Sequence, residues 1–147
     1  MDRVAIILSV YNGKKFLETQ LDSLLNQSYQ NIDIFIHDDG SKDGSIDILT
    51  KYEKKYENIH IVPEKIGLGY PICFISLLSK VDGYKYYAFC DQDDMWKLDK
   101  IQDGVICLSK ENRNQPLLYY TAVDYCDVEL NHIRESRFAK GKKKLNR

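Results

Sequence analysis

The 147-residue chain lacks any apolar run near the roughly 20 residues that cross a bilayer. Met1-Asp2-Arg3 leads straight into an apolar segment, without the layout of a signal peptide. A cytosolic globular protein is the resulting expectation. There is no excess of one charge sign: 21 Lys+Arg stand against 22 Asp+Glu. That balance argues against a general nucleic-acid binder, which carries a basic surplus. The four cysteines, Cys73, Cys90, Cys107 and Cys126, include no C-x-x-C pair, so a zinc site is not indicated. They read as reduced thiols of the core. No G-x-G-x-x-G and no Walker loop occurs, which removes support from dinucleotide and P-loop readings. What is present is an ordinary folding composition, 44% apolar with 12% aromatics, at the length of one domain.

The chain alternates between two kinds of segment. The run Val4-Ala5-Ile6-Ile7-Leu8 is continuously apolar and β-branched, as in a strand buried on both faces. Over residues 14–26, Phe16, Leu17, Leu21, Leu24 and Leu25 form one helical stripe. The same reasoning predicts strands over 32–37, 59–62, 86–90 and 117–121. It predicts helices over 45–57, 71–80 and 98–110, with Pro71 in a first turn and Gly104 a weak point. Such β-α alternation implies an α/β fold, a mostly parallel central sheet with helices on both faces. Ligands of these sheets bind beyond the carboxyl ends of the strands.

The residues just after the strands are therefore the ones to question. Ser9-Val10-Tyr11-Asn12-Gly13 follows the first, Asp38-Asp39-Gly40-Ser41 the second, and Asp91-Gln92-Asp93-Asp94 the fourth. Asp38–Ser41 alone is also an ordinary turn, and Asp43 and Gly44 suit the start of the next helix. Three carboxylates within four residues need a counter-cation or much solvent. Carboxylate oxygens suit Mg²⁺ or Mn²⁺, and Mg²⁺ typically adds substrate phosphates to one or two carboxylates. An aspartate pair on this rim thus points to a phosphate-bearing ligand held through a metal. Tyr11 offers a flat face for a base, and Asp39 an acceptor for a base N–H or a ribose hydroxyl. Gly67 and Gly69 read as plain loop, and Trp96 as a packing anchor for the acidic run.

These segments, together with Leu24-Leu25-Asn26-Gln27-Ser28-Tyr29 and Phe89-Cys90-Asp91-Gln92-Asp93-Asp94-Met95-Trp96, resemble the inverting glycosyltransferases of family 2. The Asp-Gln-Asp-Asp-x-Trp run is similar to the rhamnosyltransferase-like branch, which builds bacterial surface polysaccharides. The resemblance implies a GT-A-type nucleotide-sugar-binding fold and transfer of a sugar, with inversion, from a UDP- or dTDP-sugar to a saccharide or lipid-linked saccharide acceptor. It implies that Ser9, Tyr11 and Asp39 hold base and ribose, with Asn12, Asp38, Asp91 and Gln92 in the same nucleotide-sugar site. It makes Asp93 the ligand of Mg²⁺ or Mn²⁺, with Asp91 and Asp94 as further candidates.

Two departures stand out. Lys65 occupies a position where many relatives carry Asn, open to a diphosphate contact or to a plain surface role. The family's catalytic base lies in an acceptor-binding half, expected beyond Arg147; Asp124 and Asp127 are weak substitutes. The expected division is a nucleotide-sugar-binding domain over 1–133 and a basic tail over 134–147 that opens the acceptor region. Little transferase activity is expected of this chain by itself. Lys140, Lys142, Lys143, Lys144 and Arg147 suit either a solvated end or the headgroups of an inner membrane face. Two other readings stay open. One is a non-catalytic nucleotide-sugar-binding module that works with a partner. The other is a phosphohydrolase or phosphotransferase, which needs a nucleophilic Asp after the first strand where Ser9-Val10-Tyr11-Asn12 offers none.

Overall fold

A computed structural model of the chain describes residues 2–111 and 115–136. The described residues form two units, the first ending at Ile106 and the second beginning at Cys107. The first unit carries β1 (Val4–Val10), α1 (Lys14–Leu25), β2 (Ile32–Asp38), α2 (Ser45–Lys55), β3 (Ile59–Ile61), α3 (Ile72–Leu78) and β4 (Tyr86–Cys90), and α4 (Lys100–Ser109) runs out of it. Its sheet has the order β3-β2-β1-β4 and every pair is parallel. β1 is central, hydrogen-bonded on both sides and covered on both faces, which is why its sequence is apolar without alternation.

The pleat sends alternate residues to two separate cores. Val4, Ile6, Leu8 and Val10 pack with Ile32, Ile34 and Ile36 against Leu17, Leu21 and Leu24 of α1, Leu49 of α2 and Ile101 of α4. Ala5 and Ile7 face the other way, onto Leu77 of α3 and Val81. A buried amide closes the first core at its end. Gln27 Nε2 donates to the carbonyls of Ser23 (3.1 Å) and Lys97 (2.9 Å), and its Oε1 accepts the Ile101 N–H (3.1 Å). The segment leading into α4 is thereby tied to the end of α1.

Several expectations need correction. The apolar run over 117–121 forms no strand, and Leu117, Leu118 and Tyr120 are exposed. Strand-like composition becomes a strand only where a ladder partner pairs with it. The second unit instead forms its ladder from β5 (Asp124–Cys126) and β6 (His132–Glu135), antiparallel. β6 crosses the position where the tail was expected to begin, and residues 137–147 lie outside the described residues. Cys73 and Cys90 are buried, but Cys107 and Cys126 are exposed. In α4 the inward stripe is Ile101, Gly104 and Val105, which turns Cys107 to the opposite side despite its apolar neighbours. β4 is also not buried on both faces: Tyr87 and Phe89 are exposed, and only Cys90 is fully covered.

Leu8 lies wholly inside the core one residue before the rim. Leu8→Ala should therefore cost about 2–5 kcal/mol of a total of roughly 5–15, as a lower midpoint in urea unfolding. A midpoint shift worth under about 1 kcal/mol would contradict the central place given to β1.

Candidate functional site

The register places Val10 beside Asp38 and Leu8 beside Cys90, so three loops leave the sheet at one level. These loops are stitched to one another. The Asn12 N–H donates to Ser41 Oγ (2.9 Å), and the Lys42 N–H to Asn12 Oδ1 (2.8 Å). Asp43 Oδ2 accepts the Lys14 N–H at the start of α1 (2.9 Å), while its Oδ1 accepts both the N–H (2.9 Å) and the hydroxyl (2.6 Å) of Ser45 at the start of α2. Ser45 Oγ in turn accepts the Gly13 N–H (3.0 Å). Asp43 and Gly44 thus serve the turn and helix start, as their sequence suggested. Gln92 ties the third loop to the first through the main chain of Tyr11.

Between these loops lies a cleft of about 440 Å³, lined by Ser9, Tyr11, Asp39, Asp91, Gln92 and Asp93, and by Gly67, Gly69, Tyr70, Cys73 and Phe74. The Tyr11 residue is 58% exposed, an aromatic held out rather than packed away. Asp39 is the reverse, buried and firmly held. Its Oδ1 accepts the Leu68 N–H and its Oδ2 the Gly69 N–H, each at 2.8 Å, and His37 Nε2 lies 3.3 Å from Oδ1. Burial pushes the Asp39 carboxyl up, but the Gly69 and Leu68 amides and the His37 ring together hold it below the ordinary value. It is a charged acceptor facing a cleft.

The amides that hold Asp39 come from a loop that sequence reasoning passed over. Gly67 and Gly69 both have positive φ (+76° and +68°), which turns successive N–H groups toward the carboxylate. That loop is anchored by Glu64, which accepts the Ser76 hydroxyl (2.6 Å), the Lys80 ammonium (2.9 Å) and the Lys65 N–H (2.8 Å). The Ser76 hydroxyl above all, then the Lys65 amide and Lys80, lower the Glu64 carboxyl to about 2. Gly67 and Gly69 follow the end of β3 and read as plain loop because no fingerprint surrounds them; their positive φ is the signal that gives them a role. Cys73 was expected in the core; it is buried and also reaches the cleft. Lys65 is exposed and lines no part of the cleft.

The acidic run is braced at both ends by α1. Trp96 is buried, its N–H bonded to Ser23 Oγ of α1 (3.1 Å), so it packs the run down as expected. Gln20 of α1 donates to Cys90 Sγ, the residue before the run. Loss of hydration raises the carboxyl of Asp91, and the charge of Asp93 adds to it. Loss of hydration likewise raises Asp94, followed by the charges of Asp91 and Asp93, with Lys100 opposing. The run therefore favours cations. Among the described residues, no group of three His, Cys, Asp or Glu is arranged to hold a metal ion. The donor set of Asp91 and Asp93 fits instead a hard cation that completes its shell with phosphate and water.

The cleft brings together Ser9, Tyr11, Asp39, Asp91, Gln92 and Asp93 of the expected residues, and leaves Asn12, Asp38 and Asp94 outside its lining. Asn12 spans two loops, as described. Asp38 Oδ1 accepts the N–H groups of Gly40 (3.1 Å) and Ser41 (2.9 Å), while its Oδ2 is buried without a hydrogen-bond partner among the described residues. In the second unit, Asp127 closes the β5–β6 turn by accepting the N–H groups of Glu129 and Asn131, each at 2.9 Å.

A parallel sheet with helices on both faces and an acidic, aromatic-bearing cleft at its carboxyl rim define an α/β domain of nucleotide-binding type only in architecture. The chain belongs to the glycosyl transferase family 2, which matches it over residues 5–146. It is 38% identical over 99 residues to TuaG of Bacillus subtilis, a glycosyltransferase named for teichuronic acid biosynthesis, covering 67% of this chain and 39% of that protein. It is 38% identical over 112 residues to the dTDP-rhamnosyl transferase RfbG of Shigella flexneri, covering 73% and 38%. The chain thus spans about two-fifths of the length of these relatives. Among solved structures, residues 1–349 of Staphylococcus aureus TarS with UDP superpose with a TM-score of 0.64 at 20% identity, covering 84% of this chain and 41% of that one. The mannosyltransferase PcManGT of Pyrobaculum calidifontis, in complex with GDP-Man and Mn²⁺, gives 0.65 at 19%, covering 75% and 33%. The fold is that of the GT-A glycosyltransferases.

A carboxyl held low in the fold stabilises it above its ordinary value, here 4.5, and loses that contribution as the pH falls toward the folded value of about 2. Thermal melts between pH 6 and pH 2 should show a decline in this window that is smaller in Glu64→Gln, where the other lowered carboxyls such as Asp39 remain. Equal declines in both proteins would remove Glu64 as the anchor of the loop.

Proposed function

We propose that the chain is the donor-binding part of a glycosyltransferase that moves a sugar, with inversion, from a UDP- or dTDP-sugar to an acceptor hydroxyl in bacterial surface polysaccharide synthesis. The observation that carries this is a single cleft holding an exposed aromatic ring, a buried ionised acceptor and an aspartate pair. The ring of Tyr11 supplies a stacking face for the base, and Asp39 accepts from a base N–H or ribose hydroxyl. The names of the similar proteins support a nucleotide-sugar donor: one is a dTDP-rhamnosyl transferase, one structure holds UDP, and one holds GDP-Man with Mn²⁺.

Asp93, with Asp91, would hold Mg²⁺ or Mn²⁺, which when bound supplies positive charge to the diphosphate leaving group. Inversion requires a base that takes the acceptor proton as its oxygen attacks the anomeric carbon from the face opposite the diphosphate. That base and the acceptor contacts belong, in this reading, to sequence beyond the residues described, and Asp127 is already committed to its turn. Work at the cytoplasmic face of the plasma membrane, on a saccharide or lipid-linked acceptor, follows from the same reading. Among the described residues no helix is long and apolar enough to cross a membrane.

UDP or dTDP at millimolar concentration with Mn²⁺ should raise the melting temperature, since a ligand at 100 times its Kd adds about 2.7 kcal/mol to the folded state. No rise with either nucleotide contradicts the donor site. Asp93→Ala should abolish the metal-dependent part of the shift while leaving a metal-free remainder. Tyr11→Ala should weaken nucleotide binding by roughly 5- to 150-fold, the scale of about 1–3 kcal/mol for base–aromatic stacking, read by calorimetry.

A further inference from the structure

Gln92 stands between two aspartates of the acidic run, yet both ends of its amide are turned away from them. Its Oε1 accepts the Tyr11 N–H at 2.7 Å and its Nε2 donates to the Tyr11 carbonyl at 3.0 Å. This reciprocal pair joins residues 81 apart in sequence and satisfies the main chain of Tyr11 on both sides. It also fixes which way the side-chain amide faces, since only one orientation offers an acceptor to the N–H and a donor to the carbonyl. The fit is tight on the other flank as well. A Cβ added at Gly13 would lie 2.6 Å from Gln92 Oε1 and 2.9 Å from its Cδ. Glycine there leaves room for the clamp, and Gly13 itself lies at ordinary negative φ (−95°), so its lack of a side chain answers to space.

We propose that Gln92 is a positioning residue that locks the exposed ring of Tyr11 to the acidic loop, so that the base-stacking face and the phosphate-binding carboxylates are set at one fixed spacing. The proposal rests on the nucleotide reading of the cleft given above. A donor nucleotide has its base and its diphosphate joined by a ribose of limited reach. A cleft that fixes the distance between ring and carboxylates does not have to order them when the ligand arrives, which improves affinity without a new contact. Gln92 acts here through Tyr11, and Asp91 and Asp93 on either side of it keep their carboxylates for the other end of the ligand. Methionine keeps the length of the side chain and removes both hydrogen bonds. Alanine at Gly13 displaces the same amide without a substitution in the acidic run.

The test is calorimetric titration of UDP with Mn²⁺ into the full chain and its variants, joined to hydrogen exchange at the Tyr11 amide. Gln92→Met should weaken UDP about tenfold, the scale of one or two net hydrogen bonds. In a Tyr11→Ala background, where no ring remains to be positioned, the same change should cost less than twofold. Gly13→Ala should reproduce the tenfold loss, and both single variants should accelerate exchange of the Tyr11 amide without lowering the protection of β1. Equal losses with and without the Tyr11 ring would show direct contact with the nucleotide and overturn the positioning role. So would undiminished affinity in Gln92→Met, or a Tyr11 amide that stays protected in it. Wild-type chain that binds neither UDP nor dTDP overturns the nucleotide site itself, and the clamp's purpose with it; failure of the clamp alone leaves wild-type binding intact.

Discussion

Everything at the rim depends on the parallel pairing of β1 with β2 on one side and β4 on the other. That pairing is enforced by burial: β1 sends alternate side chains into two separate cores, and a slip of one residue would exchange their faces. With the register held, Val10 lies beside Asp38 and Leu8 beside Cys90. The loops after the three strands then leave the sheet together, and their polar groups find one another. The Asn12–Ser41–Lys42 contacts, the Asp43–Ser45–Gly13 contacts and the Gln92–Tyr11 pair are consequences of that alignment. A core interaction thus determines the geometry of a surface cleft.

Two kinds of charge are treated differently in that cleft. Asp39 is buried but surrounded by donors, so its charge is already compensated by amides and the His37 ring. Among the described residues Asp91 and Asp94 have no such shell, and they are held high by lost hydration and by neighbouring carboxylates. The first arrangement suits an acceptor that must stay ionised against a neutral base or sugar edge. The second suits a site that gains by admitting positive charge.

Much of this was legible in the chain itself. The apolar run at 4–8 and the helical stripe at 14–26 specify burial without needing tertiary detail, because strand and helix periods differ. Strand ends then point to Ser9, Tyr11, Asp39 and the acidic run. What could not be read depended on partners distant in sequence. The 117–121 segment has strand composition but no ladder partner, Cys107 sits on the outer side of α4, and Asp38 and Asn12 turned out to brace loops. Gly67 and Gly69 carry no motif; their role comes from backbone N–H groups that meet a carboxylate some 30 residues earlier. The hydrogen bonds of Gln92 to a main chain 81 residues away likewise show only once the fold is in place.

In the proposed function, one cleft binds a nucleoside diphosphate with its base on Tyr11 and its phosphates at the acidic run. A crystal structure of the chain grown with UDP and Mn²⁺ tests it most directly. The uracil should stack on the Tyr11 ring within reach of Asp39, and the diphosphate should lie beside Asp93 with the ion between them. A nucleotide bound elsewhere, or one in this cleft with its base away from Tyr11 and Asp39, would contradict it.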